Sequence, residues 1–210
     1  MRRKLVFILL AMIVAVATLS YAMEPTQAES DAYSAAMKLY EQGTGMSMAP
    51  PAGTDPSPTP QELKAQAITA FKNFVTTYPQ SELCHSAQYQ IGWIYFEIGD
   101  YVSAKTELQK VIANYPTSLL VDDARYQIAF IEFTTNNYEV ALAGFNGVIT
   151  DYEHNENEAL NHKVPFAYFM VGDCCRMMNN MTSARAKWNE VIQKFPTHSQ
   201  AGRAYKRLNP

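Results

Sequence analysis

Apolar residues return every third or fourth position along most of this chain, in segments closed by Gly-Asp, Asn-Asn or Tyr-Pro. Between residues 101 and 114 they fall at Ala104, Leu108, Val111 and Ile112, which is one face of a helix. The pattern then repeats. Tyr78-Pro79 returns as Tyr115-Pro116, Ala104 as Ala141, Leu108 as Phe145 and Val111-Ile112 as Val148-Ile149, a period of about 37 residues. Downstream, Ala184, Trp188 and Phe195 match Ala141, Phe145 and Tyr152, with about six extra residues within the acidic stretch 152–163. Upstream, Ala67, Phe71 and Tyr78 match Ala104, Leu108 and Tyr115, and residues 31–43 supply a partner helix. That first unit is split at residues 44–60, where Pro50, Pro51, Pro56, Pro58 and Pro60 exclude a helix and predict an exposed loop. The reading is an all-α fold: a right-handed solenoid of about four helix–turn–helix units with a closing helix near 198–208. No unit can bury its apolar faces alone, so the units must stack.

Each unit has a first helix, such as 84–98, and a second, such as 101–114. Gly99 ends one helix and Asp100 caps the next. Asn136-Asn137 and Asn179-Asn180 take the same places, since Asn tolerates left-handed backbone and also caps. Asp122-Asp123 open a first helix, where carboxylates favour the helix dipole, and Pro165 opens another, where a missing N–H is harmless. Ala67, Ala104, Ala141 and Ala184 let paired helices approach closely.

The first helices carry two apolar stripes. Ile91, Gly92 and Tyr95 are expected against the second helix of their own unit. The other stripe is aromatic: Tyr33 and Tyr40 in the first unit, Tyr89, Trp93 and Phe96 in the second, Tyr126, Phe130 and Phe133 in the third, Phe166 and Phe169 in the fourth. In a right-handed solenoid of helix pairs the first helices line the concave wall, so these ten side chains form an expected ladder along a groove. Tyr, Trp and Phe dominate binding hot spots. About half are expected at least partly exposed, as a docking site for a helix or extended peptide of an envelope protein, the rest packing between neighbouring first helices.

The N-terminus changes the picture of where this happens. Arg2, Arg3 and Lys4 precede an apolar run over residues 5–19, and Ser20-Tyr21-Ala22 offers small residues for cleavage after Ala22. Residues 1–22 therefore read as a signal peptide, the only membrane-directed segment, and 23–210 as the exported domain; retention as an anchor is the alternative. The first cysteine is Cys84, so no lipid-bearing Cys follows the apolar run, and the expected location is periplasmic without a lipid anchor. The chain has 17 basic and 20 acidic side chains. Loss of the three leading basic residues makes the remainder more acidic, which disfavours nucleic acid as a partner.

Candidate chemistry is sparse. Cys84 lies far from the adjacent Cys174-Cys175, so three buried thiols are expected rather than a bridge. His154, His162, Glu153, Glu156 and Glu158 crowd the insertion, yet two His eight positions apart in a polar loop match no tight ligand spacing, and no metal or other cofactor is expected. There is no nucleophile elbow and no phosphate loop, so an enzyme is not expected.

Gly92, Tyr95, Ala104, Leu108 and Pro116 match the general tetratricopeptide-repeat pattern. The chain resembles exported bacterial proteins of that kind. Tyr-Pro-x-Ser, then DDARYQIA, YFEIGDY and the closing AGRAYKRL are similar to the C-terminal domain of the Tol-Pal accessory proteins (CpoB, also called YbgF). That resemblance implies a periplasmic adaptor linking the Tol machinery to cell-wall synthesis at division. The trimerising coiled coil of that family has no counterpart in residues 23–30, and the Pro-rich insertion is a second departure. Alternatives are an adaptor of outer-membrane protein assembly, as in the BamD-type lipoproteins, a cell-wall glycan-binding module, or a self-assembling protein.

Overall fold

A computed structural model describes residues 24–45, 58–153 and 162–209. The described residues form α1 (Gln27–Thr44), α2 (Pro60–Thr77), α3 (Cys84–Glu97), α4 (Tyr101–Asn114), α5 (Val121–Thr134), α6 (Tyr138–Tyr152), α7 (Val164–Met177), α8 (Met181–Lys194) and α9 (Ser199–Leu208), with no strand among them. Each helix packs on the next in chain order, and α9 also reaches back to α7. Four helix pairs and a closing helix therefore make an all-α solenoid. The expected signal peptide 1–22 lies outside the described residues, as does most of the Pro-rich loop (46–57) and of the acidic insertion (154–161). Among the described residues no helix is long and apolar enough to cross a membrane.

Local chemistry sets the helix ends. Thr26 and Thr59 each close a capping box with Glu29 and Glu62, so α2 starts at the last residue of the Pro-rich stretch with Pro60 in its first turn. Gly99 (φ 82°), Asn136 (φ 64°) and Asn179 (φ 60°) all take left-handed backbone between paired helices. Asp100 and Asn180 then accept from the N–H groups of Ser103 and Ser183 at 3.0 and 3.1 Å. Asn137 departs from this scheme. Its amide donates to Glu132 Oε2 at 2.8 Å and to Thr135 Oγ1 at 3.2 Å, and it makes no side-chain cap.

The core runs as a row of interfaces, as expected of a solenoid. Ala67, Ala104, Ala141 and Ala184 are all fully buried. Gly92 faces Leu108, and a Cβ there would sit 2.8 Å from Leu108 Cγ; Gly172 faces Trp188 in the same way. The stripe of Ile91, Gly92 and Tyr95 is split, however. Gly92 meets its own second helix, and Tyr95 packs on that helix while its hydroxyl accepts from Lys72 of α2 at 2.9 Å, but Ile91 packs in the cluster built from α1, α2 and α3. Each inner first helix is wedged between two second helices, so its faces are shared rather than turned to one partner. Cys84, Cys174 and Cys175 are buried and unbridged, with burial pushing the Cys174 thiol up to about 12.

Candidate functional site

The ten aromatic positions divide by what they touch. Tyr33 packs edge-on against Phe71 and Phe74 of α2, at 5.5 and 5.8 Å, inside its own unit. Tyr89 packs into the cluster of Ala104, Leu108 and Val111, and burial raises its hydroxyl pKa, with Asp123 and Asp122 adding to the rise. Phe169 is 2 % exposed and lies under the guanidinium groups of Arg203 and Arg207. None of these three joins the row.

The other seven form one continuous series across the first helices. Trp93 Nε1 donates to Tyr40 Oη at 2.9 Å and to Glu97 Oε1 at 3.0 Å. The Tyr40 hydroxyl donates to the same Glu97 oxygen at 3.0 Å, and Lys64 pairs with the other at 2.9 Å. From Trp93 the rings continue to Phe96 (5.7 Å), across to Phe130 of α5 (5.9 Å), then to Phe133 (6.4 Å) and Tyr126 (6.2 Å). Tyr126 meets Phe166 of α7 at 6.2 Å, and Phe166 meets His198 at the start of α9 at 5.0 Å. All seven are half-buried: none is fully exposed and none fully enclosed. The series is thus both the seam between successive first helices and the surface those helices present. Lys163 sits over Tyr126 and Phe166, at 5.8 and 5.5 Å from their ring centres.

Beside Lys163 lies a charged cluster that the chain pattern does not announce. His162 Nδ1 is 3.1 Å from Asp122 Oδ2, and His162 Nε2 is 3.1 Å from Asp123 Oδ2. Lys163 Nζ is 2.7 Å from Asp123 Oδ1. Asp122 is fully buried, and burial pushes its carboxyl up to about 6. His162 is its ion-pair partner, but neither oxygen meets a donor in good hydrogen-bond geometry. Both carboxylates lie in the first turn of α5, as expected of groups that favour its dipole. The insertion's His162 belongs with these two carboxylates, and the remaining insertion residues 154–161 lie outside the described residues. A signal was present in the repeat itself: Asp122 and Asp123 align with His85-Ser86 and with Pro165-Phe166, so the repeat does not require acids there.

The family model described as tetratricopeptide repeat matches residues 86–118 and 166–198. These stretches cover α3–α4 and α7–α8 with the turns that follow. Those two stretches carry the tetratricopeptide-repeat pattern. Among solved structures, the crystal structure of MamA protein is 19 % identical over 76 % of this chain and 72 % of that one, with a TM-score of 0.51. A tetratricopeptide repeat protein from Parabacteroides merdae is 12 % identical over 83 % of this chain and 58 % of that one, at 0.56. The MamA RS-1 ArsTM double mutant is 14 % identical over 85 % and 86 %, at 0.53. At these identities the likeness speaks for the fold alone. No curated protein matches the chain. Tetratricopeptide repeats are in general non-catalytic scaffolds that bind other proteins, which is the level of function the fold carries.

Proposed function

We propose that this chain is an exported, periplasmic scaffold that takes a helix or extended segment of an envelope protein along the wall of its first helices. The observation that carries the reading is the unbroken series from Tyr40 through Trp93, Phe96, Phe130, Phe133 and Tyr126 to Phe166. Its rings are half-buried and its polar atoms at Tyr40 and Trp93 are already satisfied. Such a surface is held in place by its own packing, so a partner meets ordered aromatic edges at little entropic cost. The same packing disfavours a glycan-binding module. Sugar platforms need open ring faces, and here Tyr126 and Phe130 are stacked on each other, as are Phe130 and Phe133.

The basic start and apolar run of residues 1–22 support export. The resemblance to the Tol-Pal accessory repeat domain supports a partner in the division machinery of the envelope. The test is in-cell crosslinking from a photoreactive residue at Trp93, whose edge lies in the series, with mass spectrometry of what is captured. Capture of Tol-Pal or cell-wall synthesis proteins is the expected result. Capture of outer-membrane assembly factors instead would move the function to that adaptor class. No adduct from a folded, exported protein would defeat the docking surface altogether.

A further inference from the structure

Among the described residues, the fully buried Asp122, whose oxygens meet no donor in good hydrogen-bond geometry, sits where three potential metal ligands converge. One ligand atom each from Asp122, Asp123 and His162 all lie within 4.8 Å of one another. His162 shows a ring nitrogen to each carboxylate at 3.1 Å. A neutral imidazole has one N–H and one lone pair, so it cannot donate to both. The arrangement leaves Asp122 fully buried with a shared His162 as its ion-pair partner, which is costly in a fold whose other buried polar groups are mostly paired. We propose that Asp122, Asp123 and His162 bind a divalent transition-metal cation of the zinc type.

The donor set fits that class. Two carboxylate oxygens and one imidazole nitrogen suit a first-row cation, whereas calcium and magnesium take about six or more oxygens. Zinc bonds of about 2.0–2.2 Å hold tetrahedral donors roughly 3.5 Å apart, so donors already within 4.8 Å of one another close by little more than an ångström at most. The ion neutralises two carboxylates at once. Lys163 keeps Asp123 Oδ1 and acts as the outer partner that orients this ligand. Three protein donors leave a position open for water or for a group from outside the chain.

The place in the fold gives the site a role. Asp122 and Asp123 open α5, and His162-Lys163 immediately precede α7. The ion therefore ties the starts of two successive first helices. It does so beside Lys163, which covers Tyr126 and Phe166 of the aromatic series. This inference stands on the cluster alone and does not need the docking surface to be correct.

The test is zinc titration of the purified full chain after chelator treatment, read by calorimetry and by the thermal midpoint. One zinc per chain at micromolar concentration, with a raised midpoint, is the expected result. His162→Ala and Asp122→Asn should each weaken binding by more than about tenfold, the low end of the loss typical of outer-shell partners in metal sites. In the absence of zinc, Asp122→Asn should melt no lower than the parent, which separates a lost ligand from a lost fold. Equal zinc binding by the parent and both variants overturns the site. So does no zinc response of the parent up to about millimolar concentration, far above the working range of built zinc sites. Loss of binding in His154→Ala with binding kept in His162→Ala also overturns it, by moving the ligands into the insertion.

Discussion

Helices α3 and α7 hold the same place in two units, yet the same positions do different work. Trp93 of α3 aligns with Asp173 of α7, and Phe96 aligns with Arg176. In α3 these are ring contacts: Trp93 binds back to Tyr40 of α1, and Phe96 reaches forward to Phe130 of α5. In α7 they are charges, and Asp173 takes Arg207 of α9 through two bonds of 3.1 and 3.2 Å while itself 5 % exposed. What differs is the neighbour. Inside the stack the next element is another first helix with an aromatic stripe. At the end it is α9, whose outer side must meet water. A repeat can end in a polar cap only if its last apolar seam is exchanged for paired charges. Residues around Asp173 are correspondingly enclosed, with Phe169 to Cys175 buried without a break.

The largest expected effect tests the position where α3 and α7 agree. Both use Gly to admit a large side chain, but a Cβ on Gly172 would lie 2.4 Å from Trp188 Nε1, against 2.8 Å from Leu108 Cγ at Gly92. Both Trp188 and Leu108 are fully buried, but the indole is the larger and stiffer side chain and the overlap with it is closer. Overpacking in the first case should destabilise by about 3 kcal/mol and in the second by about 1 kcal/mol. Urea denaturation of Gly172→Ala and Gly92→Ala checks this. Equal losses would mean that the two units relax alike and that the comparison has no energetic content.

The next effect breaks the charged seam. Arg207→Met keeps most of the side-chain bulk over Phe169 but leaves Asp173, among the described residues, with the more distant Arg176, whose Nε is 3.9 Å away. A buried carboxylate that loses a bidentate partner should destabilise by about 2 kcal/mol, less than the full loss for a wholly buried pair because Arg207 is itself partly exposed. Amide exchange should quicken first in α9, since units in a stack open from the ends. Uniform quickening across the chain would instead make the cap part of one cooperative unit.

The order of helices, their ends and the small residues between them were legible in the chain, because a period of apolar positions and a turn residue are local properties. Gly99, Asn136 and Asn179 take the left-handed backbone that their place in the repeat implies. The side on which a first helix spends each stripe was not legible. Ile91 turns to the preceding unit and Tyr95 packs on both its own second helix and the preceding one, and period alone does not distinguish two flanking second helices. The aromatic positions were equally readable as residue types, but Tyr33 packs on Phe71 of α2, Tyr89 on the cluster around Leu108 and Phe169 under the arginines of α9, and the period does not foretell these partners. The meeting of His162 with Asp122 and Asp123 depends on how α7 docks beside α5, a relation about forty positions apart with no local signal.

The smallest effect tests the aromatic seam at the other end. Trp93→Phe keeps a ring beside Phe96 but removes the donor that Tyr40 and Glu97 share. Glu97 still holds the Tyr40 hydroxyl and Lys64, so no buried group is stranded. The loss should therefore be about 1 kcal/mol, the usual net worth of one hydrogen bond between partly exposed groups. It should appear as faster amide exchange in α1 and α2, with α7 to α9 unchanged, the mirror image of Arg207→Met. If Trp93→Phe loosened α9 as well, the two seams would be coupled through the series of rings from Trp93 to His198. The aromatic row would then act as one rigid spine rather than as separate contacts between neighbours.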